Sequence, residues 1–333
     1  MKRRDFIKMS AGLGATMATT TSLSPAFAQT KIVLKASDVH PLGYPTVEAV
    51  VRMGKKLETA TNGRLTIQMF PSMQLGGEKE MIEQAQLGAL QIARISVGAV
   101  GPVVDDVNVF NMPFVFRDSR HMEKVIDGEI GDELLAKISA NEQTGLIALC
   151  WMNAGSRNIY NNKRPVRTMA DLKGLKVRMM GNPLFVDTMN ALGGNGVALG
   201  FDQVFSSMQT GVVDGAENNP PSFMAQNHYQ VARYFTMTEH LIIPELVVFS
   251  RISWQKLSPE DQALIKKLSK EMQAEQRVLW YEAENVAIAK MKAAGTEIIT
   301  DIDKKPFQDA VKPVWDKYGA KYASMVKRIE AVN

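Results

Sequence analysis

The sequence predicts an α/β fold of two similar units, each with its elements in the order strand, helix, strand, helix, strand. This order covers residues 31–98 and appears again over residues 145–218. Polar residues follow the predicted strands, as at Asp38–His40. Strands that alternate with helices pair in parallel and carry helices on both faces of the sheet. Because ligands of such sheets lie beyond the carboxyl ends of the strands, we expect a binding site there.

The first unit is predicted from three strand-like runs and two helical runs. Apolar residues recur at helical spacing over residues 47–61, and Asn62-Gly63 ends that helix. A second helix is predicted over residues 78–90. The strands are predicted from apolar or alternating runs, namely KIVLKASDV (31–39), RLTIQMF (64–70) and QIARISVG (91–98).

The second unit repeats this order. Residues 145–163 are predicted to run from an apolar strand into a polar one, and DLKGLKVRMM is predicted as a further strand. Asn182 is a good N-cap and Pro183 a good first helical residue, so a helix should begin there. Asp202 is expected to cap the next helix, QVFSSMQT, and a short strand is predicted in VVDGAENNPPSF.

The remaining chain is predicted to return to the first unit and then to become helical. Residues 240–254, HLIIPELVVFSRISW, are predicted as one returning strand. Ser258 and Asp261 form a capping sequence for a long helix that reaches Gly295. A final amphipathic helix is predicted over residues 312–332. No linker is rich in glycine and serine, so short crossings should join the two units.

The first 28 residues are predicted to be an export signal. The start KRRDFIK contains two consecutive arginines, a weakly hydrophobic stretch follows, and Ala26-Phe27-Ala28 has the form of a cleavage site. These features are typical of a twin-arginine signal peptide over residues 1–28, which leaves a mature chain that starts at Gln29. We therefore expect a periplasmic or secreted protein.

Composition excludes several classes of function. The chain has 333 residues and a net charge of +4, but without the signal peptide 35 basic and 34 acidic residues remain. This balance gives no basic surplus for a nucleic-acid partner. The one cysteine, Cys150, allows no intramolecular disulfide and is predicted to be a buried core residue. No metal motif, cofactor motif or nucleophile elbow is present, so we expect no cofactor, no metal and no catalytic residues.

Five segments together carry a resemblance over the whole mature chain. They are GRLTIQMFPSMQLGGEKEMIEQAQLGAL, NMPFVF, NAGSRNIYN, DLKGLKVRMMGNP and MQTGVVDGAENNP. They resemble the DctP family, the periplasmic solute-binding proteins of TRAP (tripartite ATP-independent periplasmic) transporters, which pass organic acids to a sodium-coupled permease. The resemblance implies a two-domain, type II-like periplasmic binding protein. It would have a ligand cleft between its domains, a long domain-spanning helix and closure around the ligand.

The resemblance also implies boundaries and partners. Domain I would comprise residues 29–152 plus about 243–280, and domain II residues 153–242 plus about 281–333. The partners would be a small organic or sugar acid and the TRAP permease subunits, and we expect a monomer.

Three ligand-binding residues follow from the resemblance. Arg178 would bind the ligand carboxylate, Arg157 falls on a second family arginine, and Asn218 on the polar residue of the DGAEN segment. The residues themselves agree, because arginine offers a planar, bidentate cation for a carboxylate. Arg178 also alternates with apolar Val177 and Met179, which places it opposite the core face of its strand.

Four further residues are predicted from their own positions. Arg94 interrupts the strand QIARISVG, so it either pairs with a core acid or faces the cleft and helps hold the ligand. Glu78 is either a helix N-terminal acid or an acceptor for sugar hydroxyls. His40 is either a simple loop histidine or a partner for a hydroxyl. Phe201 is either a core residue or an apolar wall for a sugar ring.

Several arginines together with hydroxyl-binding groups indicate a polyhydroxylated anion, and Glu78 would repel a second carboxylate. We therefore expect a hexuronate such as D-glucuronate or D-galacturonate. A C4-dicarboxylate or another hydroxy- or keto-acid is the alternative ligand. Two other classes stay open at this point. One is a periplasmic sugar-acid enzyme, and the other is an extracytoplasmic sensor that shares the fold.

Overall fold

The computed structural model describes residues 31–333, so the predicted signal peptide lies outside the described residues. Within this part no helix is both long enough and apolar enough to span a membrane. The strands are β1 (Ile32–Ser37), β2 (Leu65–Phe70), β3 (Ile92–Ser96), β4 (Leu146–Met152), β5 (Ser156–Asn161), β6 (Lys176–Met179), β7 (Asn195–Ala198), β8 (Gly215–Asn218), β9 (Tyr234–Ile242), β10 (Glu245–Ser250) and β11 (Glu297–Ile299).

The helices connect these strands and cover the sheets. They are α1 (Pro45–Ala60), α2 (Glu78–Gln86), α3 (Val97–Val100), α4 (Ser119–Asp127), α5 (Glu129–Ala140), α6 (Pro183–Ala191), α7 (Val204–Gln209), α8 (Pro220–Ala225), α9 (Arg251–Trp254), α10 (Pro259–Ala293), α11 (Lys305–Ala310), α12 (Lys312–Val314) and α13 (Ala323–Glu330). The predicted final helix over residues 312–332 is helical as far as Glu330, but it is not one α-helix, because a π-helical turn (Trp315–Gly319) and a 3₁₀ turn (Ala320–Tyr322) join α12 to α13.

The strands form two sheets, each at the centre of one lobe. The first lobe has the order β2-β1-β3-β10-β4, and the second has the order β11-β9-β5-β8-β6-β7. In the first lobe β1 pairs in parallel with β2 and β3, as the strand–helix order predicts. In the second lobe β6 pairs in parallel with β7 and β8. The two-domain α/β fold is confirmed.

Neither sheet is purely parallel, which corrects one expectation. The first sheet receives β10 as an antiparallel strand between β3 and β4. In the second sheet β5 lies antiparallel between β8 and β9. Both departures come from strands that cross between the lobes instead of following a helix.

The prediction of one strand over residues 240–254 is wrong. The chain forms β9 in the second lobe and β10 in the first, and Pro244 lies in the break between them. Proline has no N–H for a sheet ladder, so a strand ends there readily. Beyond β10 the residues Arg251–Trp254 are helical. The segment thus carries the chain from one lobe back to the other.

The predicted helix starts at Asn182 and Asp202 have different outcomes. The Asn182 side chain accepts a hydrogen bond from the Leu184 N–H at 3.1 Å, and Pro183 is the first residue of α6, as predicted. Asp202 does not cap α7, because that helix begins only at Val204 and has no side-chain cap. A short 3₁₀ turn, Phe201–Gln203, takes up the residues between.

The long helix α10 has 35 residues. Its N-cap is Ser258, whose hydroxyl accepts a hydrogen bond from the Asp261 N–H at 3.2 Å. At 1.5 Å per residue it is about 52 Å long. It packs against α1 and β4 in the first lobe and against α8 and β11 in the second. This confirms the predicted domain-spanning helix and gives the two lobes a shared support.

Candidate functional site

A cavity lies between the two lobes, at strand ends from both sheets. It leaves about 300 Å³ free of protein atoms. All seven residues that the sequence suggested for ligand binding line it. The full lining is Val39, His40, Glu78, Arg94, Ser96, Arg157, Arg178, Met180, Phe201, Asn218 and Ser222. The structure thus brings the candidate residues together, and their contacts distinguish what each one can do.

Arg178 is a buried cation without a protein counterion. Its neighbours Val177 and Met179 point into the core, so the alternation along β6 turns Arg178 to the cavity. It is 3% exposed, and its Nε donates to the Leu199 carbonyl at 2.8 Å. Among residues 31–333, no carboxylate forms an ion pair with it. Burial lowers the pKa of Arg178 below its ordinary value, which shows that its charge is poorly compensated.

Arg157, in contrast, is neutralised by the protein. Its guanidinium makes a bidentate pair with Glu217, which is fully buried on β8. Its Nη1 donates to Asn218 Oδ1 at 3.0 Å. Burial alone would lower the pKa of Arg157, but the Glu217 carboxylate raises it above the ordinary value. Arg157 therefore reaches the cavity with its charge already balanced.

Arg94 pairs with core acids and also lines the cavity, and its contact with the ligand stays a prediction. Its Nε donates to Asp38 Oδ2 at 3.0 Å, and its Nη2 donates to Asp38 Oδ1. Its Nη1 donates to Glu245 Oε2 at 2.6 Å and lies 3.3 Å from Glu78 Oε1. Three carboxylates thus surround one guanidinium, which is 2% exposed.

The acids around Arg94 have divergent pKa values. Burial would raise the pKa of Asp38, but Arg94 and His40 hold it well below its usual range. Burial raises the pKa of Glu245 to about 7, and Arg94 only partly offsets this. Asp38 and Glu245 were not among the predicted site residues. Glu245 was detectable as an acid beside an apolar run, PELVVFS, since a buried acid needs a cation.

Glu78 begins α2 and leaves one oxygen available. Its Oε1 accepts a hydrogen bond from the Ser96 N–H at 2.7 Å as well as the contact from Arg94. Its Oε2 makes no hydrogen bond with the rest of residues 31–333. The backbone donor fixes the carboxylate against the end of β3. An acceptor is therefore presented to the cavity in a defined position.

His40 links the lobes at the edge of the cavity. Its Nε2 lies 3.0 Å from the Ser222 hydroxyl of α8, and its ring stacks on Tyr44 with centroids 3.7 Å apart. Its Nδ1 lies 3.0 Å from Asp38 Oδ1 and 2.7 Å from Arg94 Nη2, and its backbone N–H donates to Asp38 Oδ1 at 2.9 Å. Burial lowers the pKa of His40, which favours the neutral imidazole.

Phe201 and Asn218 complete the wall. The centre of the Phe201 ring lies 5.8 Å from the Arg178 guanidinium carbon and 5.6 Å from the centre of the His40 ring. Phe201 thus adds an apolar face to the cavity beside both groups. Asn218 Oδ1 accepts from Arg157 and from the Asn219 N–H at 2.9 Å. The Asn218 amide nitrogen has no hydrogen-bond partner among residues 31–333 and is free to donate into the cavity.

Two further reactive side chains, Cys150 and His228, lie outside the lining of the cavity. Cys150 is buried, and burial raises the pKa of its thiol to about 12, so it is not a thiolate at neutral pH. Over residues 31–333 no cluster of three or more His, Cys, Asp or Glu side chains could hold a metal ion. His228 is buried against Tyr160, with its Nδ1 2.7 Å from the tyrosine oxygen, and burial lowers its pKa to about 3.

The sequence profile of the DctP family, bacterial extracellular solute-binding protein family 7, matches residues 36–321. The chain belongs to this family. A curated relative is the C4-dicarboxylate-binding periplasmic protein DctP of Rhodobacter capsulatus. It is 31% identical over 327 residues, which cover 96% of this chain and 97% of that protein.

Solved structures of TRAP periplasmic solute-binding proteins are similar over nearly the whole chain. One from Pseudomonas putida F1, with bound D-glucuronate, is 58% identical, with a TM-score of 0.89 over 91% of this chain and 98% of that one. One from Citrobacter koseri, also with D-glucuronate, is 46% identical, with a TM-score of 0.89 over 91% and 100%. One from a Bradyrhizobium species, in complex with D-galacturonate, is 42% identical, with a TM-score of 0.86 over 90% and 99%.

The Citrobacter koseri protein is also known as an apo, open structure. Its TM-score to this chain is 0.79 at 45% identity, over 90% of this chain and 98% of that one. Since the sequence is nearly equally similar in both comparisons, the lower score reflects conformation. The lobes of this DctP-family protein are therefore arranged more like the glucuronate-bound form than like the open one.

Proposed function

We propose that this solute-binding protein is a receptor for a hexuronate such as D-glucuronate or D-galacturonate, which binds in the cavity between its lobes. The observation that carries the proposal is the unpaired Arg178 guanidinium. A buried cation without a counterion is costly, and an anionic ligand would remove that cost. Each charged hydrogen bond from arginine to the ligand carboxylate would contribute roughly 1.5–3 kcal/mol.

The other groups of the cavity suit hydroxyls better than a second acid. Glu78 offers a free carboxylate oxygen, Asn218 a free amide nitrogen, and Phe201 an apolar face for a sugar ring. The glucuronate and galacturonate found in the similar structures support this choice.

The proposed mechanism is capture by closure. The carboxylate docks on Arg178 in the second lobe, and closure brings Glu78, Arg94 and His40 of the first lobe onto the hydroxyls. The chain crosses between the sheets at residues 152–156 and 242–245, which we propose as hinges. We also propose residues 29–152 plus about 243–280 as domain I and residues 153–242 plus about 281–333 as domain II, with two boundaries at these crossings and the third within α10. The closed form would then deliver the ligand to a sodium-coupled TRAP permease, and no bond is made or broken.

We further propose that the protein acts as a monomer in the periplasm after export by the twin-arginine route. This rests on the sequence of residues 1–28 and on the family. Two observations support a binding role without catalysis. Arg157 and Arg94 are both held by structural acids. Cys150 lies in the core as a thiol. Incubation of a hexuronate with excess protein should leave it unchanged by NMR, and any turnover would contradict the proposal.

A thermal-shift screen of the mature chain tests the ligand class. It should include D-glucuronate, D-galacturonate, succinate, malate and 2-ketogluconate. A ligand at 100 times its Kd stabilises the folded state by about 2.7 kcal/mol, which gives a clear rise in Tm. We expect the hexuronates to raise the Tm most. A shift with the C4-dicarboxylates alone would favour the alternative suggested by the Rhodobacter relative.

Calorimetry of Arg178→Lys tests the site. Lysine keeps the charge but loses the bidentate fork, so we expect hexuronate affinity to fall at least tenfold. Arg233→Lys is the matched control, because Arg233 is an exposed arginine outside the cavity and the same change there should leave affinity unaltered. Equal affinities for the parent and Arg178→Lys would remove Arg178 from the carboxylate role.

A further inference from the structure

The two walls of the cavity carry opposite unbalanced charge. On the second lobe Arg157 is neutralised by Glu217, so Arg178 supplies one net positive charge. On the first lobe the three acids Asp38, Glu78 and Glu245 share the single cation Arg94. The first-lobe wall therefore has excess negative charge, even when one of its acids is protonated.

Glu78 is the member of this group that can meet a ligand. Asp38 is fully buried and is held by Arg94, His40 and Thr46. Glu245 does not line the cavity. Glu78 does line it, and its Oε2 has no partner among the described residues. The Ser96 N–H donates to Oε1 at 2.7 Å and so fixes the Glu78 carboxylate beside the end of β3.

Arg94 cannot screen this carboxylate effectively. Its Nε and Nη2 are directed at Asp38, and its Nη1 lies closer to Glu245 (2.6 Å) than to Glu78 (3.3 Å). A ligand group beside Glu78 thus meets an acceptor whose charge is only partly compensated, because Arg94 is shared among three acids. A hydroxyl can donate to it, whereas a second carboxylate there would face repulsion in a buried site.

Resting on the hexuronate proposal, we propose that Glu78 is a charge-selecting residue that admits monoanionic sugar acids and rejects the corresponding dianions. The dianionic class is the aldarates, in which the carbon at the far end of the chain is also a carboxylate. The same residue would reject short dicarboxylates. Asp38 and Glu245 act as positioning residues, because they hold Arg94 and do not line the cavity themselves.

The test measures Kd by calorimetry for D-glucuronate, D-glucarate and D-gluconate, with the parent and Glu78→Gln. D-gluconate is a linear monoanion, so its comparison with linear D-glucarate isolates charge from ring shape. In the parent we expect D-glucarate to bind at least about 100-fold more weakly than D-glucuronate, as like-charge contacts cost several kcal/mol. In Glu78→Gln the ratio of the D-glucarate Kd to the D-gluconate Kd should fall at least tenfold.

Glu80→Gln is the matched control. Glu80 also lies in the first turn of α2, is exposed and does not line the cavity, so its loss changes the helix terminus but not the wall. Parental selectivity in Glu80→Gln and relaxed selectivity in Glu78→Gln would support the proposal. A parent that binds D-glucarate as tightly as D-glucuronate overturns it, and so does an unchanged ratio in Glu78→Gln. Failure of the parent to bind any hexuronate would instead overturn the proposed function.

Discussion

Gly98 in α3 should be required for closure of the lobes. A methyl group at this position would place Cβ 2.4 Å from Phe185 Cε2 and 2.7 Å from Met180 Cε. Both neighbours belong to the second lobe, whereas Gly98 follows β3 of the first. The Asn182 amide also donates to the Gly98 carbonyl at 3.2 Å. The contact at Gly98 is therefore part of the closed interface.

The expected effect of Gly98→Ala follows from these distances. Ordinary contacts begin at 3.4 Å, so the lobes would have to separate by about 1 Å or the buried Phe185 ring would have to move. Overpacking of this kind costs about 1–3 kcal/mol. Because the clash exists only when the lobes meet, ligand affinity should fall roughly 5- to 150-fold. The ligand-free protein should keep its Tm, since Gly98 has an ordinary helical φ that alanine tolerates.

Calorimetry with the hexuronate that gives the largest thermal shift measures the loss. Small-angle scattering with and without ligand reports whether the lobes still close. Gly181→Ala is the control, because Gly181 lies beside the same interface and has nothing within 4 Å of an added Cβ. Unchanged affinity in Gly98→Ala, or an equal loss in Gly181→Ala, would refute the reasoning that Gly98 limits closure.

Two further predictions concern the buried charges. Glu217→Gln leaves Arg157 without its counterion, so the free energy of unfolding in urea should fall by about 3–5 kcal/mol. Glu239→Gln, at a half-exposed pair with Lys304, is the control and should lower it by under about 1 kcal/mol. Similar losses in the two variants would contradict a structural role for the Arg157 pair. Glu245 has a folded pKa of about 7, above the ordinary value, so its contribution to stability is present below about pH 4.5 and is lost as pH rises through 7. Glu245→Gln should therefore gain about 3 kcal/mol relative to the parent between pH 4.5 and 8 in urea titrations, and a constant difference would exclude this titration.

Much of the secondary structure could be predicted, because helix caps and the alternation along a strand depend on residues that are close in sequence. The cap at Asn182 and the alternation around Arg178 are local, and both are seen in the structure. The break at Pro244 was also visible in the sequence, but the apolar residues on both sides suggested one strand. Which sheet each half would join depends on distant strands, so the crossing between the lobes could not be predicted.

Local sequence patterns could not identify which acids neutralise the arginines of the site. Arg157 and Glu217 are 60 residues apart in sequence, and Arg94 and Glu245 are 151 apart. A single acid in a short, fully buried strand such as GAEN needs a buried partner, but nothing in its spacing identifies that partner. The sequence could therefore suggest that acids and arginines are buried without showing which of them neutralise each other.

This gap matters for the ligand, because three arginines that look alike in sequence differ once their partners are known. As three free cations, Arg94, Arg157 and Arg178 would suit a dianion or a phosphate as well as a sugar acid. Two of them are held by acids, and only Arg178 lacks an ion pair within residues 31–333. One free positive charge opposite Glu78, which shares Arg94 with two other acids, matches a ligand with one carboxylate and hydroxyls at its far end. The charge count, more than the number of arginines, therefore argues for a hexuronate over a dicarboxylate.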